Sequence, residues 1–284
     1  MYRLPRFLLQ VLAGFPLAVL HALGTVLGWA LYGISPTYRR NLKANLAMAG
    51  YGDDARTRRA AIASAGQMLT ETPAIWLRPQ QEVAALVREV TGMDAVQAAL
   101  ARGKALLLLT PHMGCFEVAA HYASQHVPIT VLYRAPKVAW LEPLMREGRG
   151  RGKVRLVPAD FSGVRELFSA LKRAEAVGFL PDQVPGIGEG EWADFFGRPA
   201  YTATLAPKLA RRADVACFLA YARRLPGGAG YAIVLRPLLE PIPGESETRR
   251  LNRALEALVR ECPAQYLWGY NRYKTPRGAK PQPT

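Results

Sequence analysis

Residues Phe7 to Ile34 carry no charged side chain, in a chain that elsewhere holds 37 Lys and Arg. Only Gln10 and His21 interrupt the apolar and small residues of that run. About 20 such residues are enough to cross the hydrocarbon of a bilayer. Pro16 predicts a kink, because it removes a helix hydrogen bond. Arg3 and Arg6 precede the run, and Arg39, Arg40 and Lys43 follow it. Positive charge on both flanks leaves the orientation open by the loop-charge rule, and a helix lying in the interface satisfies the same pattern. A cleaved signal peptide has an apolar core of roughly 7–15 residues, shorter than this one. A buried core helix stays as the soluble alternative, since Gly and His dilute the apolarity. The expectation is a membrane anchor over residues 1–35, with span and surface placement both open.

Beyond the anchor the patterning is first helical, then alternating. Pro36–Ala49 reads as a short basic helix carrying Asn41 and Asn45, and Asp53–Leu77 as a longer amphipathic one ending before Pro79. From Lys104 on, short apolar runs alternate with helical stretches. Strands are predicted at Lys104–Thr110, Ile129–Tyr133, Val154–Val157, Ala176–Leu180, Val215–Tyr221 and Tyr231–Arg236. Helices are predicted at Cys115–Ser124, Ala139–Glu147, Phe161–Ala174, Thr202–Ala213 and Ser246–Glu261. Such alternation argues for an α/β fold, a central mostly parallel or mixed sheet flanked by helices. One catalytic domain is expected over 36–274, with a basic, Pro-rich tail over 275–284.

The formal net charge of +15 calls for an anionic partner: nucleic acid, an anionic membrane, or an acidic carrier or substrate. No nucleic-acid module is recognisable, and a long apolar start has no role in one. Cys115, Cys217 and Cys262 are sparse and form no CxxC pair, so they read as small fillers, and no metal site is expected.

The segment from Gly103 to Glu117 carries the most chemical information. A buried-strand run ends at Pro111, and His112 then stands at the carboxyl edge, where open α/β sheets place ligands. Gly114 allows a tight entry into the next helix. With His112 before that helix and Glu117 in its first turn, the carboxylate can accept from one imidazole nitrogen and leave the other free as a base. Backbone N–H groups near Gly114 are candidate oxyanion donors. Asp182 at a strand end can orient a basic neighbour or a sugar hydroxyl.

This segment resembles the HX4D/E motif of glycerolipid and lipid A acyltransferases. Further blocks follow in that order: Tyr133-Arg134-Ala135-Pro136, then Gly148-Arg149, Pro181-Asp182-Gln183, Phe195-Phe196-Gly197-Arg198-Pro199-Ala200, and Gln265-Tyr266-Leu267-Trp268 with Arg272-Tyr273-Lys274. The leading helix and Asn41-Leu42 with Asn45-Leu46 are also similar, so the likeness covers nearly the whole chain. It is to the bacterial lipid A late acyltransferases of the lauroyl/myristoyl type. Ala135 and Tyr266 depart from the usual Pro and Trp.

The resemblance implies that His112, held by Glu117, takes a proton from an acceptor hydroxyl, which attacks the thioester of an acyl carrier protein. It implies no bound cofactor, a phosphorylated lipid A precursor as acceptor, and an inner-membrane enzyme facing the cytoplasm. Arg149 is expected to hold a phosphate, with Asp182, Tyr133 and Arg134 as further substrate contacts. Phe195 and Phe196 are candidates for the acyl channel, with core packing an equal alternative. Competing functions are transfer to another glycolipid or a lysophospholipid, and hydrolysis of the thioester.

Overall fold

The computed structural model describes residues 3–212 and 214–279. The N-terminal run folds as α1 (Arg3–Gly14) and α2 (Leu17–Ile34), broken at Phe15 and Pro16 as the proline predicts. Ser35 caps α3 (Pro36–Met48) through the Tyr38 N–H, and Asp54 caps α4 (Ala55–Leu77) through Thr57. The next elements are α5 (Gln80–Ala85), β1 (Val87–Thr91), α6 (Met93–Ala101), β2 (Ala105–Leu109) and α7 (Phe116–His126). β3 (Ile129–Tyr133), α8 (Leu141–Arg149), β4 (Val154–Pro158), α9 (Phe161–Lys172) and β5 (Ala176–Phe179) complete the first wing. A hairpin of β6 (Gly190–Phe195) and β7 (Arg198–Ala203) leads to α10 (Leu205–Ala210). β8 (Val215–Arg224), β9 (Tyr231–Pro237) and α11 (Glu247–Glu261) close the fold.

The main sheet has seven strands in the order β1-β9-β8-β2-β5-β3-β4. Every neighbouring pair is parallel except β8 with β9, which the Pro226-Gly227-Gly228 turn joins as a hairpin. β2 is fully buried along Ala105–Leu109, as expected of a strand covered on both faces. Alternation splits its side chains. Leu107 and Leu109 join the core under α9 and α11, whereas Leu106 and Leu108 join the core under α6 and α7.

The structure adds elements that the sequence patterns do not predict. β1 and α6 carry no strong run and went unassigned: most of β1 is exposed, so its apolar pattern is weak. The β6–β7 hairpin replaces the first turn of the helix predicted at Thr202, because Thr202 and Ala203 pair with Glu191 and Gly190. The predicted tail lies partly outside the described residues.

Candidate active site

Because β2, β3 and β5 are parallel, their C-terminal ends share one edge of the sheet. His112 follows β2, Arg134 follows β3 and Asp182 follows β5, so one edge gathers residues 70 positions apart in sequence. The loop bearing His112 is pinned from four directions. The His112 carbonyl accepts from Leu267 N–H at 2.9 Å, and Gly114 N–H donates to the Gln265 carbonyl at 2.9 Å. Cys115 N–H donates to Ala222 at 2.8 Å, and Arg224 Nη2 donates to the Gly114 carbonyl at 2.8 Å. Gly114 sits at φ +58, where a side chain would run into the Ala222 carbonyl oxygen, so only glycine serves there.

His112 is not paired with Glu117. Its Nδ1 lies 2.8 Å from Asp182 Oδ1, and its own backbone N–H donates to Asp182 Oδ2 at 2.9 Å. A carboxylate can only accept, so Nδ1 carries the proton and Nε2 keeps its lone pair. The Gln183 amide meets that nitrogen at 3.1 Å. Burial alone would raise the Asp182 carboxyl, but the positive charge His112 carries when protonated, with hydrogen bonds from its ring and backbone, outweighs burial and holds the group below its ordinary range. The side chain of His112 is 19% exposed and that of Asp182 only 3%, so the imidazole is open to solvent while the carboxylate behind it is buried. The buried Tyr266, in the place where Trp is usual, lies beside Asp182.

Glu117 is instead claimed from another side. Arg149 binds both of its oxygens, with Nε at 2.8 Å from Oε2 and the nearer Nη2 on Oε1, while Trp76 Nε1 donates to Oε2 at 3.0 Å. Burial would raise this carboxyl too, but the Arg149 charge and hydrogen bonds prevail and lower it. The physical reason for the changed pairing is direction. Glu117 is the second residue of α7, and its side chain is turned toward α4 and α8, away from the strand end. Arg149, expected to grip a phosphate, therefore spends its planar fork on Glu117, with its guanidinium over the Trp76 ring.

The other expected residues fall as follows. Tyr133 is buried at the end of β3 under the guanidinium of Arg146, and Arg134 is exposed just beyond it. Phe195 and Phe196 do not line the apolar slot on the other face of β2. They pack with Tyr266 and Trp268 in the core on the far face of β2, where Arg272 lies over the Phe195 ring. Backbone N–H groups of Met113, Gly114 and Cys115 are all taken within the protein, which removes them as oxyanion donors. Asn45 donates to the Trp268 and Tyr270 carbonyls at 2.6 and 2.7 Å, and the Tyr270 hydroxyl accepts from Val184 N–H. The Asn45 bonds tie the C-terminal aromatic segment to α3, and the Tyr270 hydroxyl ties it to the loop carrying Asp182.

A narrow apolar slot of about 90 Å³ opens on the other face of β2. Thr110, Phe116 and Leu180 line its near end, and the Phe116 ring meets the His112 ring edge-on at 5.1 Å. Ala123, His126 and Val127 line its far end, along α7 as that helix runs back from the loop. Nothing in the sequence singled out these residues, because an alanine-rich helix face looks the same whether it packs or leaves a gap.

A second polar cluster lies fully buried behind the loop. Glu71 from α4 accepts from Arg224 Nε at 2.9 Å and from the Tyr231 hydroxyl at 2.9 Å, and lies 2.9 Å from His21 Nε2 of α2. Arg224 also donates to Ser64 at 2.9 Å. The same arginine holds the Gly114 carbonyl, so the cluster supports the loop that carries His112.

The profile of the bacterial lipid A biosynthesis acyltransferase family matches residues 4–275. The chain is 28% identical to the lipid A biosynthesis lauroyltransferase of Escherichia coli (strain K12) over 219 residues, covering 75% of this chain and 70% of that one. It is 26% identical to the palmitoleoyltransferase of the same strain over 215 residues, with 75% and 69% covered. A lipid A biosynthesis acyltransferase of Haemophilus influenzae is 28% identical over 190 residues, with 63% and 57% covered. With a match from the first helix to the last aromatic segment, the chain belongs to the bacterial lipid A biosynthesis acyltransferase family and is an acyltransferase.

Proposed function

We propose that this enzyme moves a fatty acyl chain from the thioester of acyl carrier protein to a hydroxyl of a phosphorylated lipid A precursor, with His112 as general base and Asp182 as the residue that orients it. The observation that carries this reading is the His112–Asp182 pair, which aims Nε2, held only by the Gln183 amide, beside an apolar slot. Nε2 takes the hydroxyl proton as the oxygen attacks the thioester carbonyl. The new ester forms, the carbon–sulfur bond breaks, and the proton passes from His112 to the departing thiolate. Asp182 stabilises the imidazolium that exists in between. Gln183 must turn from Nε2 when the hydroxyl arrives. The thioester is already activated, so no acyl-enzyme is required, and the acyl carrier protein is a co-substrate, with no further cofactor. An acidic carrier suits the basic chain. The active face would then lie on the cytoplasmic side of the inner membrane, where such carriers are found.

The test is product analysis with labelled acyl carrier protein thioester and three acceptors: a phosphorylated lipid A precursor, a lysophospholipid and water. Ester formation on the first, with its hydroxyl consumed, is expected. Preferred transfer to the lysophospholipid, or release of free fatty acid alone, overturns the reading.

The slot predicts a change in chain length. Ala123→Phe fills its far end without touching His112, so the preferred donor should become shorter, with kcat on that donor largely kept. Competition between thioesters of different lengths reads this out directly. An unchanged preference means the acyl chain lies elsewhere.

Arg149 has the opposite expectation to a phosphate clamp. Removing it leaves Glu117 buried without its charge partner, at a cost of about 3–5 kcal/mol. Arg149→Ala should therefore lower the melting temperature and impair transfer equally on phosphorylated and dephosphorylated acceptors. A loss confined to the phosphorylated acceptor would return the phosphate role to Arg149.

A further inference from the structure

α2 is long and apolar enough to cross a membrane, yet it is built into the domain along its length. It runs antiparallel to α4: Thr70 Oγ1 donates to the Leu20 carbonyl at 2.6 Å, and Gln67 Nε2 donates to Thr25 Oγ1 at 3.1 Å. Gly24 and Gly28 face Gly66 with the two backbones in contact. A side chain on Gly28 would run into the Ile62 carbonyl oxygen, and one on Gly66 into that of Gly24. α4 also sends Ala61 and Ile62 into the main core and Trp76 to Glu117, while Glu71 bridges His21 of α2 to Arg224. α2 therefore cannot enter the bilayer core upright without drawing α4 after it. α4 carries Arg56, Arg58 and Arg59 near its start, and each cation at the centre of a bilayer costs at least about 2.5–3.5 kcal/mol.

The surface of this helix pair has the opposite character. Among the described residues, eleven of the eighteen exposed large apolar side chains fall between Leu4 and Ile34. Phe7, Val11 and Phe15 of the α1 segment and Val19, Val26 and Trp29 of α2 all face outward. A soluble protein seldom exposes so continuous an apolar area without something to cover it. Arg6 is exposed on α1, and Arg40 and Lys43 are exposed on α3 just past the end of α2. Cations at the rim of an apolar face match a bilayer with anionic headgroups.

We propose that α1 and α2 lie flat in one leaflet, their outer face among the lipid acyl chains, and that α2 does not span the membrane. This rests on the membrane residence contained in the functional reading above, and is independent of the transfer chemistry. The seat is one helix away from the catalytic loop. α4 touches α2 on one side, and on the other reaches Glu117 through Trp76 and the Gly114 carbonyl through Glu71 and Arg224. A lipid acceptor would thus come from the leaflet in which the enzyme rests.

The decisive experiment places single thiols at both ends of the pair in the full chain. Gly14 and Gly33 have open space where a side chain would grow. Gly14→Cys and Gly33→Cys are labelled in sealed phosphatidylethanolamine–phosphatidylglycerol vesicles with a charged, impermeant maleimide. Glu240→Cys marks the side of the catalytic domain, and the wild-type chain gives the background of its own cysteines. Both ends are expected to react from the side on which Glu240→Cys reacts. If either end reacts only after detergent opens the vesicles, the helix spans and the proposal falls. Gly28→Leu is the second measurement. It should lower the melting temperature by several degrees, because α2 must leave α4. An unchanged melting temperature, with vesicle binding kept, also overturns the proposal, since a helix free in lipid only gains from leucine. A chain that fails to bind vesicles at all removes membrane residence and this proposal together. Transfer to a detergent-dispersed acceptor, assayed in parallel, then shows whether the chemistry stands without them.

Discussion

Acyl transfer by the full chain is lost in His112→Ala and falls by about 10²–10⁴-fold in Asp182→Asn, the range expected when a general base or its orientation is removed. The two variants should melt close to wild type, since His112 lies in an edge loop and asparagine fills the space of Asp182. The contrast with Glu117 is the informative part. Glu117→Gln keeps a group that can accept from Trp76 but loses the charge opposite Arg149, so its main effect should be on the melting temperature. If Asp182 orients the base, Asp182→Asn also changes how kcat depends on pH, because an amide can hold the ring in either tautomer and no longer supports the imidazolium. Glu117→Gln should leave the shape of that profile alone. Wild-type turnover in purified His112→Ala removes the mechanism. A pH profile altered by Glu117→Gln and untouched by Asp182→Asn returns the orienting role to Glu117.

The second large effect is on stability. Glu71→Ala leaves the guanidinium of Arg224 buried with no counter-charge, which costs about 3–5 kcal/mol. It also frees the Tyr231 hydroxyl and His21, and it slackens the hold of Arg224 on the Gly114 carbonyl. A melting temperature lower by many degrees is expected, with activity lost at temperatures where wild type works. The pH dependence follows from the same contacts. Burial pushes the Glu71 carboxyl up, but the charge of Arg224 and hydrogen bonds from His21 and Arg224 more than offset it, leaving the group at about 2 against an ordinary 4.5. A carboxyl lowered on folding contributes stability that is full above its unfolded value. That stability is lost as the pH falls from about 4.5 toward 2, and amounts to ~3 kcal/mol. Replacing the pair together, Glu71→Leu with Arg224→Met, should remove that acid-sensitive part and recover much of the stability lost in the single variant. A double variant as unstable as Glu71→Ala would mean that the cluster acts through packing rather than charge.

Much of the edge chemistry was legible in the sequence because it is local. The apolar run of β2, the proline after it, His112 and the positive-φ Gly114 lie within ten residues, and their order alone places a histidine at the carboxyl end of a buried strand. Asp182 was legible as a strand-end carboxylate able to orient a basic neighbour. Its neighbour was not legible, because β5 lies beside β2 only by the crossover of the sheet. Glu117 was near His112 in sequence, and that nearness misled. Its direction depends on where α7 leaves the loop and on Trp76 and Arg149, which stand 41 and 32 residues away. The apolar slot was illegible for a different reason: a cavity is the absence of atoms between α6, α7 and the sheet, and no residue type announces it.

The sequence by itself determined the elements, from hydrophobic period, caps and proline, and determined that a basic enzyme with a histidine at a strand end carries an apolar N-terminal surface. Tertiary structure alone decided the partners. Which carboxylate meets His112, what Arg149 binds, and how α2 packs against α4 all depend on groups brought together from distant parts of the chain. Each turns on a directed contact a few ångströms long, and such contacts are set by the packing of strands and helices.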